Sequence, residues 1–418
     1  MGEHFVGARR FPTIRGKGAS VMASRAAKGS SDSETVVDWM ISSDSHIIEP
    51  PDLWTERIDS RFRGREPRVV RDGDHDWWTI DGQRSMSFLG VQTGDRFDKD
   101  ATELITAASF EEVRPAAYDP SLYLAENADD GVMGSVIYPS EALLAYSIPD
   151  SELCSATMRA YNDFIAEFCA YDPGRLKGIA LVNVDDPAEA VGEMKRAREI
   201  GLCGAMITVL PPEDRPYDDP MYEPVWSASV DLDMPLSMHV ATGRRLLSVE
   251  AGQSSTQRVS EAAFYLQDHF VRKSLGEMIF SGVFERHPEL RVGSVEHEVC
   301  WVPFFLFQAD YCYTDRPPRG DWHRFEPGVL PSDFFKRNCF LSFQEDAVGI
   351  RVRDVCGEGT LMWGSDYPHT ESTFPRSREI AAEILAGVPV EEQQAILRDN
   401  VARLYGFDLE SIAPSGDG

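Results

Sequence analysis

The sequence predicts an α/β protein closed as a (β/α)8 TIM barrel, with a small β-hairpin inserted after the first strand. Eight short apolar runs of β type alternate with helical patterns from about residue 36 onward. Such alternation implies parallel strands joined by right-handed crossovers, and eight units can close on themselves. Metal-competent side chains also recur at the ends of these runs, where a barrel gathers its chemistry.

The first run comprises Val36, Val37, Trp39, Met40 and Ile41 and leads into Ser42-Ser43-Asp44. The next seven span 134–138, 176–182, 204–209, 235–240, 290–296, 339–343 and 361–366. Between them, Leu153, Met158, Tyr161, Phe164, Ile165 and Phe168 recur mostly three or four apart, the stripe of a one-sided helix over 151–170. A helix over about 187–200 opens with Asp186 as cap and Pro187 in the first turn. Ile396, Leu397, Val401 and Leu404 space the last helix in the same way.

Residues 50–120 are too many for one crossover. Arg68-Val69-Val70 and Trp77-Trp78-Thr79-Ile80, beside Asp72-Gly73 and Asp81-Gly82, predict a β-hairpin within an insertion of about 56–115. Another long connection, about 241–275, follows the fifth strand. Both are expected to form substrate walls, because loops at that end of a barrel build its site. Trp77, Trp78 and Phe88 fit an apolar lid or the packing of the hairpin equally well. The domain reading is a disordered tail over 1–36, a barrel over 37–407 and a flexible tail over 408–418.

Composition narrows the function. Hydrophobic residues make up 42% and charged residues 26%, an ordinary globular balance with ample material for a core. The 41 basic against 69 acidic residues give a net charge of −28, which repels polyphosphate and argues against nucleic acid as a partner. The longest apolar runs fall short of the roughly 18 residues needed for a membrane span. Arg9-Arg10 is followed by no apolar stretch of the signal-peptide kind. Seven scattered cysteines without a C-x-x-C pair read as reduced thiols in a cytoplasmic protein.

Nine histidines are present, and three of them close predicted strands: His46, His239 and His297. Asp366 closes the eighth. In a parallel barrel these ends share one mouth, so the four side chains are expected to face a common cation. His287, His269 and His323 read as structural, His75 as a solvated hairpin tip, and His4 as part of the tail. Glu298 reads as structural, because neighbours in a strand face opposite ways.

The stretches carrying these residues resemble a known family. Asp44-Ser45-His46-Ile47-Ile48-Glu49-Pro50-Pro51-Asp52-Leu53-Trp54 looks like the opening metal motif of amidohydrolase-related proteins, the group that contains aminocarboxymuconate semialdehyde decarboxylase. His239-Val240-Ala241-Thr242-Gly243, Glu296-His297-Glu298 with Trp301-Val302-Pro303, and Trp363-Gly364-Ser365-Asp366-Tyr367-Pro368-His369 follow in the same order. The resemblance implies that His46, His239 and Asp366 bind metal. It makes His297 the acid–base group in one-metal members and a ligand in two-metal members. Asp44 stands where the decarboxylase pattern has its first histidine, and Glu49 offers a further carboxylate. More oxygen ligands shift the preference from Zn towards Fe or Mn, and a bridging carboxylate could hold one or two ions.

The resulting expectation is a metal-dependent hydrolase or decarboxylase of a small organic acid, amide or ester. Catalysis falls to His297 and Asp366, and the metal to Asp44, His46, Glu49, His239, His297 and Asp366. His369 is open to a second metal, to substrate or to bracing the loop. Arg244 and Arg245 are candidates to fork onto a substrate carboxylate. Two alternatives stand beside this: a dinuclear non-haem iron monooxygenase acting on a carboxylic acid or terpenoid-type substrate, and a barrel subunit without catalysis. Family resemblance implies a homodimer.

Overall fold

The computed structural model describes residues 38–88, 94–104, 108–244, 268–318, 320, 322–357 and 359–414. The N-terminal tail, Arg245, most of the connection after the fifth barrel strand and residues 415–418 lie outside them. Eleven strands are present among the described residues: β1 (Met40–His46), β2 (Arg68–Asp72), β3 (His75–Ile80), β4 (Gln83–Ser87), β5 (Val132–Tyr138), β6 (Leu176–Leu181), β7 (Gly204–Ile207), β8 (Leu236–His239), β9 (Val292–Val295), β10 (Cys339–Phe343) and β11 (Leu361–Trp363).

β1 and β5 to β11 form one eight-stranded sheet in chain order, and every neighbouring pair is parallel. The two ends of the sheet meet at the mouth, where Asp366 N donates to Asp44 O and His46 N donates to Tyr367 O. These closing bonds fall on three of the predicted ligands or their neighbours. Almost every strand residue of the barrel is buried, as expected for strands covered on both faces.

β1 includes Ser42, Ser43, Asp44, Ser45 and His46, all buried, while Val36 and Val37 of the predicted run lie outside the described residues. The serines tolerate this because their hydroxyls find partners. Ser43 Oγ donates to Trp363 O, and Ser45 Oγ donates to Ser42 Oγ. Helices Ser151–Cys169 and Pro187–Glu199 cover the barrel where the spacing placed them, and Asp186 accepts from Ala188 N and Glu189 N.

The insertion is larger than a hairpin. β2, β3 and β4 form a three-stranded antiparallel sheet. Ile80 pairs with Gln83 across Asp81-Gly82, which take φ of 50° and 74°. Two consecutive positive φ values make the tight turn that matches strand twist, and an Asp-Gly pair adopts it readily. That second turn adds the third strand. The lid reading of its aromatics gives way to packing: Trp78 is buried between Trp54 and Phe88, and Arg84 stacks over Trp77. The expected flexible tail from 408 begins with one more helical turn, Leu409–Ile412, capped by Asp408 and held by buried Ile412. All seven cysteines are free thiols. No helix among the described residues is long and apolar enough to cross a membrane.

One buried carboxyl of the scaffold gives a pH test. Asp130 accepts the backbone N–H of Ser377, which opens helix Ser377–Ile384. Burial raises its pKa to about 6, against the lowering effect of Ser377 and Arg378. A carboxyl raised on folding costs stability where it is charged, above about pH 6, and the cost disappears as pH falls towards the unfolded value. Asp130→Asn keeps an accepting oxygen and removes the charge. We expect it to gain about 1 kcal/mol at pH 8, discounted for partial solvent access, and nothing at pH 4. Thermal unfolding at both pH values checks this, and an unchanged Tm at pH 8 would refute it.

Candidate metal centre

Four strand ends deliver the centre. Asp44 and His46 lie two apart on β1, so the pleat turns both side chains to the same side, while Ser45 faces the other way. His239 is the last residue of β8. Beyond β9 and β11 the chain enters left-handed conformations at Glu296 (φ 62°), Glu298 (φ 55°) and Asp366 (φ 56°). Such φ values are uncommon without glycine and cluster where geometry serves function. Gly364 allows the close approach of this last segment. A Cβ there would lie 2.6 Å from Asp44 Cβ and 3.0 Å from Asp44 N.

The donors converge. His46 Nε2 lies 3.4 Å from Asp44 Oδ1 and 3.2 Å from Asp366 Oδ1. His239 Nε2 lies 3.5 Å from Asp44 Oδ1 and 3.4 Å from Glu296 Oε2. Asp44, His46, His239 and Glu296 present ligand atoms within 4.8 Å of one another, and His46, Asp366 and His369 form a second such group. The backbone orients both first-group imidazoles. His46 Nδ1 sits 2.6 Å from Pro139 O and His239 Nδ1 3.1 Å from Val240 O. A carbonyl only accepts, so each Nδ1 carries a proton and each Nε2 is the ring atom turned to the cluster.

A divalent cation fits this donor set. Asp44 Oδ1, His46 Nε2, His239 Nε2, His297 Nε2 and Asp366 Oδ2 are buried atoms without a hydrogen-bond partner. Buried polar atoms rarely go unpaired, and here five are concentrated at one mouth. Three carboxylates, Asp44, Glu296 and Asp366, also share the space. Burial, then the charges of Asp366 and Asp44, raise Glu296 well above the usual carboxylate range, although its side chain remains 28% exposed at the mouth. Burial opposes ionisation of Asp44, yet His239 and His46 hold it well below its ordinary value. Asp366 is likewise lowered, against burial, by His369 and His46. Imidazole and carboxylate without thiolate suit Zn, Fe or Mn.

Several expected site residues have other places. His297 stands next to the donor groups, with Nδ1 3.2 Å from Ser294 Oγ, while Glu296 takes the position expected of it among the ligand atoms. The left-handed turn after Val295 is the cause, since it swings Glu296 inward. Burial, then the neighbouring His239, lower His297 to about 3, so its imidazole is neutral. Glu49 does not join the donors. Its carboxylate accepts the backbone N–H groups of Ser140, Glu141 and Ala142 at 3.0–3.2 Å. Arg244 has another place: its buried guanidinium donates to Tyr146 O, Ile148 O and Asp185, which ties it into the scaffold. His369 braces and abuts at once, with Nδ1 2.8 Å from Asp366 Oδ1, Nε2 2.7 Å from Ser140 Oγ, and its ring stacked 4.0 Å from that of His46. Glu298 reaches the backbone after β10, near Gln344 N and Glu345 N, as a structural residue would.

The Amidohydrolase family model matches residues 72–407, four fifths of the chain. The chain belongs to the amidohydrolase family. This match starts downstream of Asp44 and His46, so their place in the centre rests on the geometry above. A gamma-resorcylate decarboxylase of Rhodococcus jostii (strain RHA1) is 25% identical over 298 residues, covering 67% of this chain and 85% of that protein. A crystal structure of an amidohydrolase from Mycobacterium avium subsp. paratuberculosis K-10 superposes with a TM-score of 0.72 at 21% identity, covering 88% of this chain and 99% of that one. That of a dihydroxybenzoic acid decarboxylase from Polaromonas sp. JS666, with bound manganese and the inhibitor 2-nitroresorcinol, gives a TM-score of 0.60 at 17% identity, covering 89% and 98%. At these identities the structural likenesses speak for the barrel alone.

Proposed function

We propose that this amidohydrolase-family protein is a metal-dependent decarboxylase of an aromatic carboxylic acid, with manganese as its preferred ion. The observation that carries the reading is the neutral, unpartnered His297 Nε2 beside a carboxylate-rich donor cluster. The decarboxylases of aromatic acids among its relatives support it.

Asp44, His46, His239 and Asp366, with Glu296 beside them, would hold the ion. When bound, it would anchor substrate oxygens and stabilise the negative charge that develops as CO2 departs. Decarboxylation breaks a carbon–carbon bond and leaves its electron pair on the carbon, which must then take a proton. With Asp44 Oδ1, His46 Nε2 and His239 Nε2 turned to the ion, His297 Nε2 and Asp366 Oδ2 are left among the unpartnered buried atoms of the mouth to carry that proton. An anionic substrate beside His297 raises its proton affinity, reversing part of the depression caused by burial. The imidazole then takes a proton from solvent at Nε2 and delivers it to the carbon that lost the carboxyl group. A neutral amide brings no such charge, which favours an acid as substrate.

The test is release of CO2 from 2,6-dihydroxybenzoate and a panel of other hydroxybenzoates by protein loaded with Mn2+. In D2O, one deuterium is expected at the carbon that lost the carboxyl group. Turnover confined to amides or esters, with no CO2, would overturn the reading. The carboxylates crowded at the mouth, Asp44, Glu296 and Asp366, could bridge two ions and favour a second reading, a dinuclear iron oxygenase. About one ion per chain, with CO2 released and no O2 consumed, dismisses it; about two irons with O2 uptake would establish it.

A further inference from the structure

The turn after β5 touches two imidazoles of the centre through adjacent residues. Pro139 O accepts from His46 Nδ1, and Ser140 Oγ lies 2.7 Å from His369 Nε2. Since a carboxylate can only accept, the 2.8 Å contact to Asp366 Oδ1 puts the His369 proton on Nδ1. Ser140 Oγ therefore holds the remaining ring nitrogen, Nε2. The two imidazoles are stacked, so a shift of the turn moves both.

What holds the turn is a residue outside the centre. Glu49, fully buried three residues beyond β1, places its two oxygens against three consecutive backbone N–H groups, those of Ser140, Glu141 and Ala142. Successive N–H groups converging on one anion form a strong cradle, because each bond is charge-assisted. We infer that Glu49 is a positioning residue for the metal centre: its carboxylate clamps the 139–142 turn, and the turn sets the orientation of His46 and His369. The inference rests on the metal reading above and is independent of which reaction the metal serves. Glu141 lies in the same turn but plays a different part. Burial, then the Glu49 charge, raise its carboxyl well above the carboxylate range, so it is held neutral.

This asymmetry supplies the experiment. Full-length wild type and the variants Glu49→Gln, Ser140→Ala and Glu141→Gln are titrated with Mn2+ against a chelating dye. Their visible spectra are then recorded at saturating Co2+, which reports the ligand field directly. A glutamine at 49 turns an NH2 group towards N–H donors, so the clamp opens. Glu49→Gln is expected to lose about 10–100-fold in Mn2+ affinity and to alter the Co2+ bands, and Ser140→Ala to alter them with a smaller loss. Glu141→Gln, replacing an already neutral group, is expected to match wild type in both readouts.

Unchanged affinity and spectrum in Glu49→Gln overturn the inference. So does reduced loading with a wild-type spectrum, which marks a merely structural role. Should Glu49→Gln not fold, Ser140→Ala decides: an unaltered spectrum there overturns the inference as well. No substrate enters the measurement, so failure to find CO2 release would leave this result standing, and the reverse also holds.

Discussion

Replacing His239 by alanine is expected to empty the metal centre and to lower kcat/KM for CO2 release by at least about 10³. His239 is the residue on which the first donor group depends. Its Nε2 stands between Asp44 Oδ1 and Glu296 Oε2, its ring is fully buried, and its Nδ1 proton is taken by Val240 O. Without the imidazole, Asp44 and Glu296 face each other across a gap, and the second group of His46, Asp366 and His369 loses the wall that completes a cation site. Metal analysis after gel filtration should then fall from about one ion per chain to under about a tenth. Added Mn2+ should restore little activity. A His239→Ala protein that keeps its full metal content, or its full rate, contradicts the site described here.

The route by which residues reached this site explains which of them the sequence could reveal. His46, His239 and Asp366 were legible because a strand end is a fixed place in a parallel barrel, and a histidine or aspartate there stands out against apolar neighbours. Glu296 was missed for a physical reason. Strand alternation, which sets Glu298 against His297, does not reach this segment: β9 ends at Val295, and positive φ at both glutamates breaks the two-residue period. Three acid–base residues in a row directly after a strand were the available signal. Glu49 misled in the opposite sense. Its closeness in sequence to His46 suggested a ligand, whereas its partners, the N–H groups of Ser140 to Ala142, come from a turn some ninety residues away. Arg244 shows the same limit, since Tyr146, Ile148 and Asp185 satisfy it across the fold. In the scaffold, strand and helix placement followed from apolar spacing. The third strand of the inserted sheet did not, because Gln83, Arg84 and Ser85 carry no apolar alternation to announce it.

His297→Gln separates proton transfer from metal binding, and for that reason it tests the mechanism most sharply. His297 lies outside both compact donor groups, so the variant should retain its ion and its Mn2+ affinity close to wild type. What it loses is the neutral buried Nε2. General acid–base groups contribute about 10² to 10⁴ in rate, so kcat for CO2 release is expected to fall by that factor with KM little changed. Glutamine can still donate or accept a hydrogen bond at the mouth, but it cannot take up a proton and hand it on. Two other outcomes point elsewhere. A fall in metal content matching the fall in rate would make His297 a ligand after all, as two-ion chemistry requires. A rate within about threefold of wild type would leave Asp366 Oδ2, the unpartnered buried atom not turned to the ion, as the proton carrier. The identity of the group that protonates the carbon therefore follows from one variant measured in two ways.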